Sequence, residues 1–154
     1  MKILVFSDTH ARLSPMAKAV GKIEPDLVLH LGDHDKDAQK IAQDFPHIPL
    51  RVVRGNCDMG LKSPVTDEFI CDGKRIVMTH GHRYNVKMDY SALIRMGQAA
   101  KADLLLFGHT HIAYYEQLGD MHLLNPGSAG TGLGKSCGLI QITHEGIECS
   151  HLSL

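Results

Sequence analysis

The stretch that decides the fold is LLLFGHTH, residues Leu104 to His111. Four consecutive apolar residues bounded by Asp103 and Gly108 are typical of a fully buried strand in a parallel sheet. Two histidines separated by one threonine follow directly, and imidazole is the commonest metal-binding side chain. In a tight loop both rings can turn toward one point, although a histidine after a strand is more often an ordinary loop residue. The rest of the chain decides between these interpretations.

Similar apolar segments recur at fairly even spacing along the first two thirds of the chain. They are Ile3 to Phe6, Leu27 to Leu31, Leu50 to Val53, Ile76 to Met78 and Leu104 to Phe107. Helices are predicted between them over Ser14 to Ile23, Lys36 to Phe45 and Asp89 to Ala100. In the first helix, Ser14 is expected as the N-cap and Pro15 as the first helical residue. Strands and helices that alternate in this way predict βαβ units and a largely parallel sheet.

The pattern changes from Ala113 onward. Four strands joined by turns, and therefore expected to be antiparallel, are predicted over Tyr114 to Leu118, His122 to Leu124, Cys137 to Thr143 and Ile147 to Leu152. Thr66 to His80 is predicted to be a hairpin, because Asp72-Gly73 between two apolar runs is a strong two-residue turn signal. We expect one α/β domain over residues 1–154, with a mixed or doubled sheet.

Length, charge and cysteine content narrow the class of protein. The 154 residues fit one domain that buries a core without disulfides. The net charge is −1 and the charges are scattered, so neither a long nucleic acid nor a membrane surface is expected as a partner. The apolar run before Ser7 is too short for a signal peptide or a membrane span. No CxxC pair occurs among the four cysteines, so reduced thiols and a cytoplasmic location are expected.

Side chains of the kind that bind metals follow all five apolar strands. They are Asp8 and His10 in SDTH, Asp33 in LGD, Asn56 in GNCD, His80 in THGH, and His109 and His111 in GHTH. Loops at the carboxyl ends of parallel strands lie together, so these seven side chains should converge. Each one alone could be a turn or loop residue. Coincidence at five successive strand ends is a poor explanation for all of them.

The donor set indicates which ions such a site would hold. Two carboxylates, one amide oxygen and four imidazoles are too many ligands for one tetrahedral zinc ion. Mixed nitrogen and oxygen ligands suit two divalent transition-metal ions, with Mn²⁺ as the first candidate and Ni²⁺, Fe, Co²⁺ or Zn²⁺ as alternatives. Pure oxygen cages for Ca²⁺ or Mg²⁺ fit less well.

The series SDTH, LGD, GNCD, THGH and GHTH resembles the five-block signature of the calcineurin-like metallophosphoesterases. The short length and the later NPGS, Asn125 to Ser128, are similar to the small YfcE-like phosphodiesterase branch of bacteria and archaea. The resemblance implies a sandwich of two mixed β-sheets flanked by helices, and it permits homo-oligomers. It also implies that Asp33 bridges two ions, one bound by Asp8, His10, Asp33 and His111 and the other by Asp33, Asn56, His80 and His109.

The activity implied is hydrolysis of a small phosphodiester, a nucleotide being one candidate. Two divalent ions about 3.5–4 Å apart bind phosphate oxygens and lower the pKa of a bridging water, so that hydroxide can attack phosphorus near neutral pH. A phosphomonoesterase or dinucleotide pyrophosphatase on the same centre is an alternative, because the metal ligands do not distinguish these substrates. A non-catalytic interaction module of the same fold, like a retromer subunit with a degraded metal site, is another. All seven ligand positions are filled in this chain, which argues against that reading.

Cys57 departs from the residue that many members of the resembled family carry after the GN of the third block. A histidine there is thought to protonate the leaving group, so the source of that proton is open in this chain. The candidates for a catalytic role beside the metal ligands are His34, His82 and Cys57. The candidates for substrate contact are Asn56 and Arg83. A Cys57 thiolate nucleophile is a weaker alternative, since no CX5R-type phosphate loop surrounds it.

Overall fold

The computed structural model describes residues 1–58, 62–132 and 134–154. The first sheet has the order β10-β9-β1-β2-β3 and consists of β1 (Lys2–Phe6), β2 (Leu27–His30), β3 (Leu50–Val52), β9 (Ser136–Thr143) and β10 (Gly146–Ser153). The second has the order β4-β5-β6-β8-β7 and consists of β4 (Thr66–Cys71), β5 (Lys74–Thr79), β6 (Leu104–Leu106), β7 (Ala113–Leu118) and β8 (Met121–Pro126). The helices are α1 (Leu13–Ile23), α2 (Asp35–Asp44), α3 (Ser91–Ala99) and a short 3₁₀ helix (His82–Tyr84).

Both sheets are mixed. Strands β1, β2 and β3 are parallel, and β9 and β10 complete that sheet in antiparallel fashion. Strands β5, β6 and β8 are parallel, with β4 and β7 as antiparallel edges. The sandwich of two mixed sheets flanked by helices is therefore confirmed. The antiparallel pairing expected after Ala113 is confirmed for β7 with β8 and for β9 with β10. Strands β8 and β9 do not pair with each other, because β8 pairs in parallel with β6 and the chain then crosses to the first sheet.

The apolar runs are continuous because both faces of the central strands are covered. Val5 of β1 packs between the two sheets, whereas its neighbours Leu4 and Phe6 face the layer that contains α1 and α2. On the far side, Leu105 packs in the same cluster as Leu93 of α3. Leu105 is fully buried, so replacing it with alanine should cost about 2–5 kcal/mol of stability. This double burial holds the strand ends, and the loops that follow them, in fixed positions.

The start of α1 differs from the prediction. That helix begins at Leu13, so the expectation of Ser14 as N-cap is wrong; Arg12 occupies the cap position and makes no side-chain capping bond. Pro15 remains in the first turn, where its missing N–H is no loss. The other predicted helices lie within two residues of α2 and α3.

The hairpin predicted from Asp72-Gly73 is confirmed by the pairing of β4 with β5. Both turn residues have positive φ angles, 49° and 75°, as a tight two-residue turn requires. All four cysteines are unpaired. No helix in the described part of the chain has the length and apolar character needed to cross a bilayer.

Candidate metal centre

The loops after β1, β2, β3, β5 and β6 meet at one end of the sandwich. Several hydrogen bonds link them. Among these, the His109 amide donates to Asp8 Oδ2, the His80 ring donates to Leu31 O, and the Cys57 amide donates to Asp33 Oδ1. The seven side chains predicted to converge lie at this meeting point. The structure thus brings together residues that are as many as 103 positions apart in the chain, from Asp8 to His111.

The seven side chains form two neighbouring groups. The Asp8 cluster consists of Asp8, His10 and His111, whose donor atoms all lie within 4.8 Å of one another. The His80 cluster consists of Asn56, His80 and His109, where His80 Nε2 lies 3.2 Å from both Asn56 Oδ1 and His109 Nδ1. Asp33 lies between the clusters, because its carboxylate falls within 4.8 Å of donor atoms of both His10 and His80.

Asp8 directs one carboxylate oxygen into the centre, and hydrogen bonds hold the other oxygen in place. Its Oδ2 accepts hydrogen bonds from Ser7 Oγ at 2.5 Å and from the His109 amide at 3.1 Å. Its Oδ1 is buried and has no hydrogen-bond partner among the described residues, although His111 Nε2 lies 3.1 Å away as an ion-pair neighbour. Leaving a buried acceptor unsatisfied costs about 1–3 kcal/mol, and more when it is charged. A cation bound beside Oδ1 would remove that cost, so the residues present fit a metal ion.

The orientation of His80 is fixed in a similar way. His80 Nδ1 lies 2.8 Å from the carbonyl oxygen of Leu31, which only accepts, so Nδ1 carries the proton. The lone pair is then on Nε2, which faces Asn56, His109 and Asp33. A backbone carbonyl that holds the far ring nitrogen is the usual partner of a metal-binding histidine. The ring is therefore set to bind a cation without further rotation.

The loops reach this arrangement through strained backbone. Five of the seven residues have left-handed φ angles: Asp8 (55°), His10 (45°), Asp33 (56°), His109 (69°) and His111 (62°). A non-glycine residue in this region costs on the order of 1–2 kcal/mol, and such residues cluster at functional sites. Nothing in the sequence motifs indicates this strain. It is a property of the folded loops alone.

Two glycines allow the loops to approach each other. A Cβ atom on Gly108 would collide with Ser7 Oγ, and one on Gly55 would collide with the carboxylate of Asp33. Glycine is therefore required at both positions by contact between neighbouring loops.

The local environment sets the charges of the site. Burial, followed by the proximity of the His80 ring and the charge of Lys87, lowers the pKa of His109 to about 4, so its ring is neutral at pH 7 and keeps a lone pair for a cation. Burial alone would raise the pKa of Asp33, but the proximity of the His80 ring and the hydrogen bond from the Cys57 amide outweigh it and hold that pKa below its ordinary value. Asp33 is therefore ionised at neutral pH.

Cys57 is a weak acid at this position. Cys57 is exposed, but partial desolvation of its sulfur, followed by the hydrogen bond and charge of Asp33, raises the pKa of Cys57 to about 11. The thiol is therefore protonated near pH 7, which argues against the thiolate nucleophile. Its sulfur lies within 4.8 Å of donor atoms of His10 and Asp33.

The remaining candidates border the two clusters. The ring centroid of His34 lies 5.4 Å from that of His10, beside the Asp8 cluster. The ring of His82 lies 5.5 Å from that of His80 and 6.2 Å from that of His109. Arg83 is exposed and follows His82 in the chain. Burial, followed by the proximity of the His80 ring and the charge of Arg83, lowers the pKa of His82. These residues lie at the rim of the centre.

Two polar side chains of the segment Asn125 to Ser128 stabilise the loops that carry the candidate metal ligands. The sequence analysis did not predict this role. Ser128 Oγ donates to the carbonyl oxygen of Asp8 at 2.9 Å. Asn125 Nδ2 donates to the carbonyl oxygen of Gly108 at 3.0 Å. Both side chains are buried at the end of β8. The available signal was their position directly after an apolar strand, the same signal that identified the seven converging residues.

His30 was also missed, because it lies inside an apolar run. It is fully buried, its Nδ1 accepts the Gly32 amide at 3.2 Å, and its Nε2 lies 3.2 Å from Thr9 Oγ1. Burial lowers the pKa of His30 to about 4 despite the nearby charge of Asp58. A neutral His30 thus supports the loop between Asp8 and His10 from behind.

Residues 1–145 match the family described as the calcineurin-like phosphoesterase superfamily domain. The chain belongs to this superfamily. It is 33% identical over 133 residues to the "Probable metallophosphoesterase YsnB" of Bacillus subtilis strain 168, covering 83% of this chain and 75% of that one. It is 30% identical over 105 residues to the "Phosphodiesterase YfcE" of Escherichia coli K12, covering 62% of this chain and 53% of YfcE.

Solved structures share the fold. A "predicted phosphoesterase" of Streptococcus pneumoniae TIGR4 superposes with a TM-score of 0.84 at 24% identity, covering 99% of this chain and 88% of that one. The Vps29 protein of Entamoeba histolytica in complex with Zn²⁺ superposes with a TM-score of 0.79 at 21% identity, covering 99% of both chains. At these identities the likeness shows the fold alone.

Proposed function

We propose that this protein is a phosphodiesterase that depends on two divalent metal ions and hydrolyses small phosphodiesters, nucleotides among them. The ligands of the two ions are Asp8, His10, Asp33, Asn56, His80, His109 and His111, with Asp33 as the bridge. The observation that carries the proposal is Asp8 Oδ1, a buried carboxylate oxygen without a hydrogen-bond partner among the described residues, aimed into a group of metal-binding side chains. Mixed nitrogen and oxygen donors make Mn²⁺ our first candidate.

The ions, when bound, supply charge neutralisation for the phosphate and a water acidic enough to serve as nucleophile near neutral pH. Asp8 and Asp33 bring two negative charges against the four positive charges of two divalent ions. His109 is neutral and Asn56 is uncharged, so they bind without cancelling more of that charge. The result is a net positive centre that suits a monoanionic diester.

Proton delivery to the leaving group is the weak step in this chain. A thiol with a pKa of about 11 is far from the operating pH, and general acids work best when their pKa is near it. His34 and His82 border the centre and are the alternative donors. We propose that diesters with acidic leaving groups are the better substrates.

The similar YfcE is a named phosphodiesterase, and we propose that this chain also prefers a diester to a monoester. Four unpaired cysteines fit a reducing compartment, and we propose the cytoplasm.

The test is turnover by protein stripped of metal and then titrated with Mn²⁺. Bis(4-nitrophenyl) phosphate and 4-nitrophenyl phosphate serve as the diester and the monoester. We expect diester turnover that rises until two ions are bound and that is lost in Asp8→Asn, while the exposed His144→Gln control keeps it. Turnover of the monoester alone would replace the proposal with a phosphomonoesterase. No turnover of either with two ions bound would favour a non-catalytic module.

A further inference from the structure

Asp58 is a buried carboxylate, 5% exposed, that accepts four backbone hydrogen bonds. Its Oδ2 accepts the amides of Asp33 and Gly55, each at 2.8 Å. Its Oδ1 accepts the amides of His34 at 2.7 Å and Asp35 at 3.1 Å. Hydrogen bonds to an ionised acceptor are about twice as strong as neutral ones. Asp58 therefore holds the backbone of two loops, the one after β2 and the one after β3, in place.

The two bonds to Oδ1, from the His34 and Asp35 amides, cap α2. That helix begins at Asp35, and its N-cap residue His34 has a left-handed backbone and makes no side-chain capping bond. The free amides at a helix N-terminus need acceptors and attract negative charge. Asp58 supplies both from another loop. The start of α2 is thereby held at a defined distance from the loop after β3.

The two bonds to Oδ2 join the loops that carry two candidate metal ligands, Asp33 and Asn56. The amide of Asp33 lies in the loop after β2, whereas Gly55 lies directly before Asn56 in the loop after β3. Both amides donate to the same oxygen of Asp58. The Cys57 amide adds a further bond to Asp33 Oδ1 at 2.9 Å. The spacing between Asp33 and Asn56 is therefore set by the Asp58 carboxylate.

The Asp8 cluster is held by different bonds. Asp8 is fixed by Ser7, by the His109 amide and by Ser128. His111 Nδ1 lies 3.1 Å from Thr131 Oγ1. None of these described bonds involves Asp58. A change at Asp58 should therefore affect the His80 cluster more than the Asp8 cluster. The shared Asp33, and the bond from the Asp8 amide to the Gly32 carbonyl oxygen at 3.0 Å, transmit part of the effect to the Asp8 cluster.

We infer that Asp58 is a positioning residue that holds Asp33 and Asn56 at the spacing required by the ion of the His80 cluster. This inference rests on the proposed two-ion function. Asp58 touches neither ion nor substrate and acts through the backbone. Partners of metal ligands are typically worth about 10–100-fold in metal affinity.

The test compares Asp58→Asn with Asp103→Asn. Asparagine keeps the shape of aspartate but turns an NH₂ group toward backbone N–H donors, so two of the four bonds are lost. Asp103 is a matched control, since its carboxylate accepts the Arg75 amide at 2.7 Å just before β6, at the opposite end of that strand from His109. Mn²⁺ binding is measured by calorimetry on metal-free proteins, and anomalous scattering from Mn²⁺-soaked crystals identifies which ion is lost.

In Asp58→Asn we expect the dissociation constant of the ion in the His80 cluster to rise about 10–100-fold. The other ion should be weakened less, because it shares Asp33 but does not use Asn56. Asp103→Asn should bind both ions as the native protein does. A general loss of stability would not produce this split between the two constants. Unchanged constants, or equal weakening of both ions, would overturn the inference. Fewer than two ions in the native protein would instead overturn the proposed function.

If Asp58→Asn does not fold, nuclear magnetic resonance of the native protein loaded with Zn²⁺, which is diamagnetic, provides the second test. Scalar couplings across the hydrogen bonds should connect the amide nitrogens of Asp33 and Gly55 with the carboxyl carbon of Asp58. Their presence would support the tie between the two loops. Their absence, with the amide signals resolved, would overturn it.

Discussion

The backbone amide of His109 donates a hydrogen bond to Oδ2 of Asp8 and so joins the loop after β6 in one sheet to the loop after β1 in the other. The bond uses the main chain of His109, which leaves its ring free to face His80. One residue thus orients Asp8 through its backbone and extends its side chain into the other cluster. The two clusters share a scaffold but have separate donor atoms.

This separation makes the two histidines of the HTH segment distinguishable. His109→Ala keeps the amide bond to Asp8, so it should chiefly deplete the ion near Asn56 and His80. His111→Ala should chiefly deplete the ion near Asp8 and His10. Crystal structures of both variants grown with Mn²⁺ would measure the occupancy of each ion. Loss of the same ion in both variants would contradict the assignment.

Asp33→Asn should weaken both ions together. The substitution keeps an acceptor for the Cys57 amide but removes the charge shared between the clusters, leaving the two cations less screened from each other. We expect each ion to bind at least about tenfold more weakly, by comparison with the loss of a ligand's partner. Metal content after gel filtration checks this, with Asp26→Asn at the far end of β2 as the control. Full activity with two ions retained in Asp33→Asn would refute the bridging role.

Replacing Cys57 with histidine should help substrates with poor leaving groups. The Cys57 thiol, with a pKa of about 11, is a poor acid, whereas an imidazole titrates near neutral pH. A positioned general acid supplies about 10²–10⁴-fold, so alkyl diesters should gain up to this factor and nitrophenyl diesters little. The measurement is kcat/KM for diesters of graded leaving-group pKa, with metal content checked in both proteins.

An equally shallow dependence on leaving-group pKa in native protein and Cys57→His would give the opposite conclusion. Another group would then already donate the proton. His34→Gln and His82→Gln would identify it, because these rings lie beside the Asp8 cluster and the His80 cluster respectively.

His30 should make the metal-free protein sensitive to mild acid. Burial lowers the pKa of His30 from 6.5 to about 4 in the folded state. Between these values the unfolded chain binds the proton and the folded protein does not, so the free energy of unfolding falls as the pH falls from 6.5 toward 4. The loss attributable to His30 is on the order of 3 kcal/mol across this window.

Urea unfolding of the metal-free protein at a series of pH values measures this effect. His30→Gln should lose less stability between pH 6.5 and 4 than the native protein does, even if it is less stable at pH 7. The control is His144→Gln, because the His144 side chain is 91% exposed. Parallel pH profiles for native protein and His30→Gln would show that His30 does not titrate as described.

The sequence predicted those strands whose apolar residues are buried in the structure. The apolar runs of β1 and β6 are covered on both faces, and that double burial leaves a readable pattern. The Asp72-Gly73 turn was equally clear, because both residues adopt positive φ angles. The division into two sheets could not be read from periodicity, since a strand shows the same pattern whichever sheet it joins. The pattern left a mixed sheet and a doubled sheet open, and the family resemblance indicated the doubled one.

The candidate site was predictable in its side chains but not in its supports. Asp8 and His111 could be found because they directly follow apolar strands. Asp58 accepts hydrogen bonds from the backbone of a distant loop, and Ser128 donates one to the backbone of another. Such bonds leave no spacing pattern in the sequence. His30 looked like part of a strand. These supports depend on tertiary contacts that only the folded chain shows.

Anomalous diffraction from a crystal soaked in Mn²⁺ tests the two-ion centre most directly. We predict two peaks about 3.5–4 Å apart. One peak should lie beside Asp8, His10 and His111, the other beside Asn56, His80 and His109, with the Asp33 carboxylate between them. A single peak at saturating Mn²⁺, or two peaks without Asp33 between them, would contradict the binuclear centre.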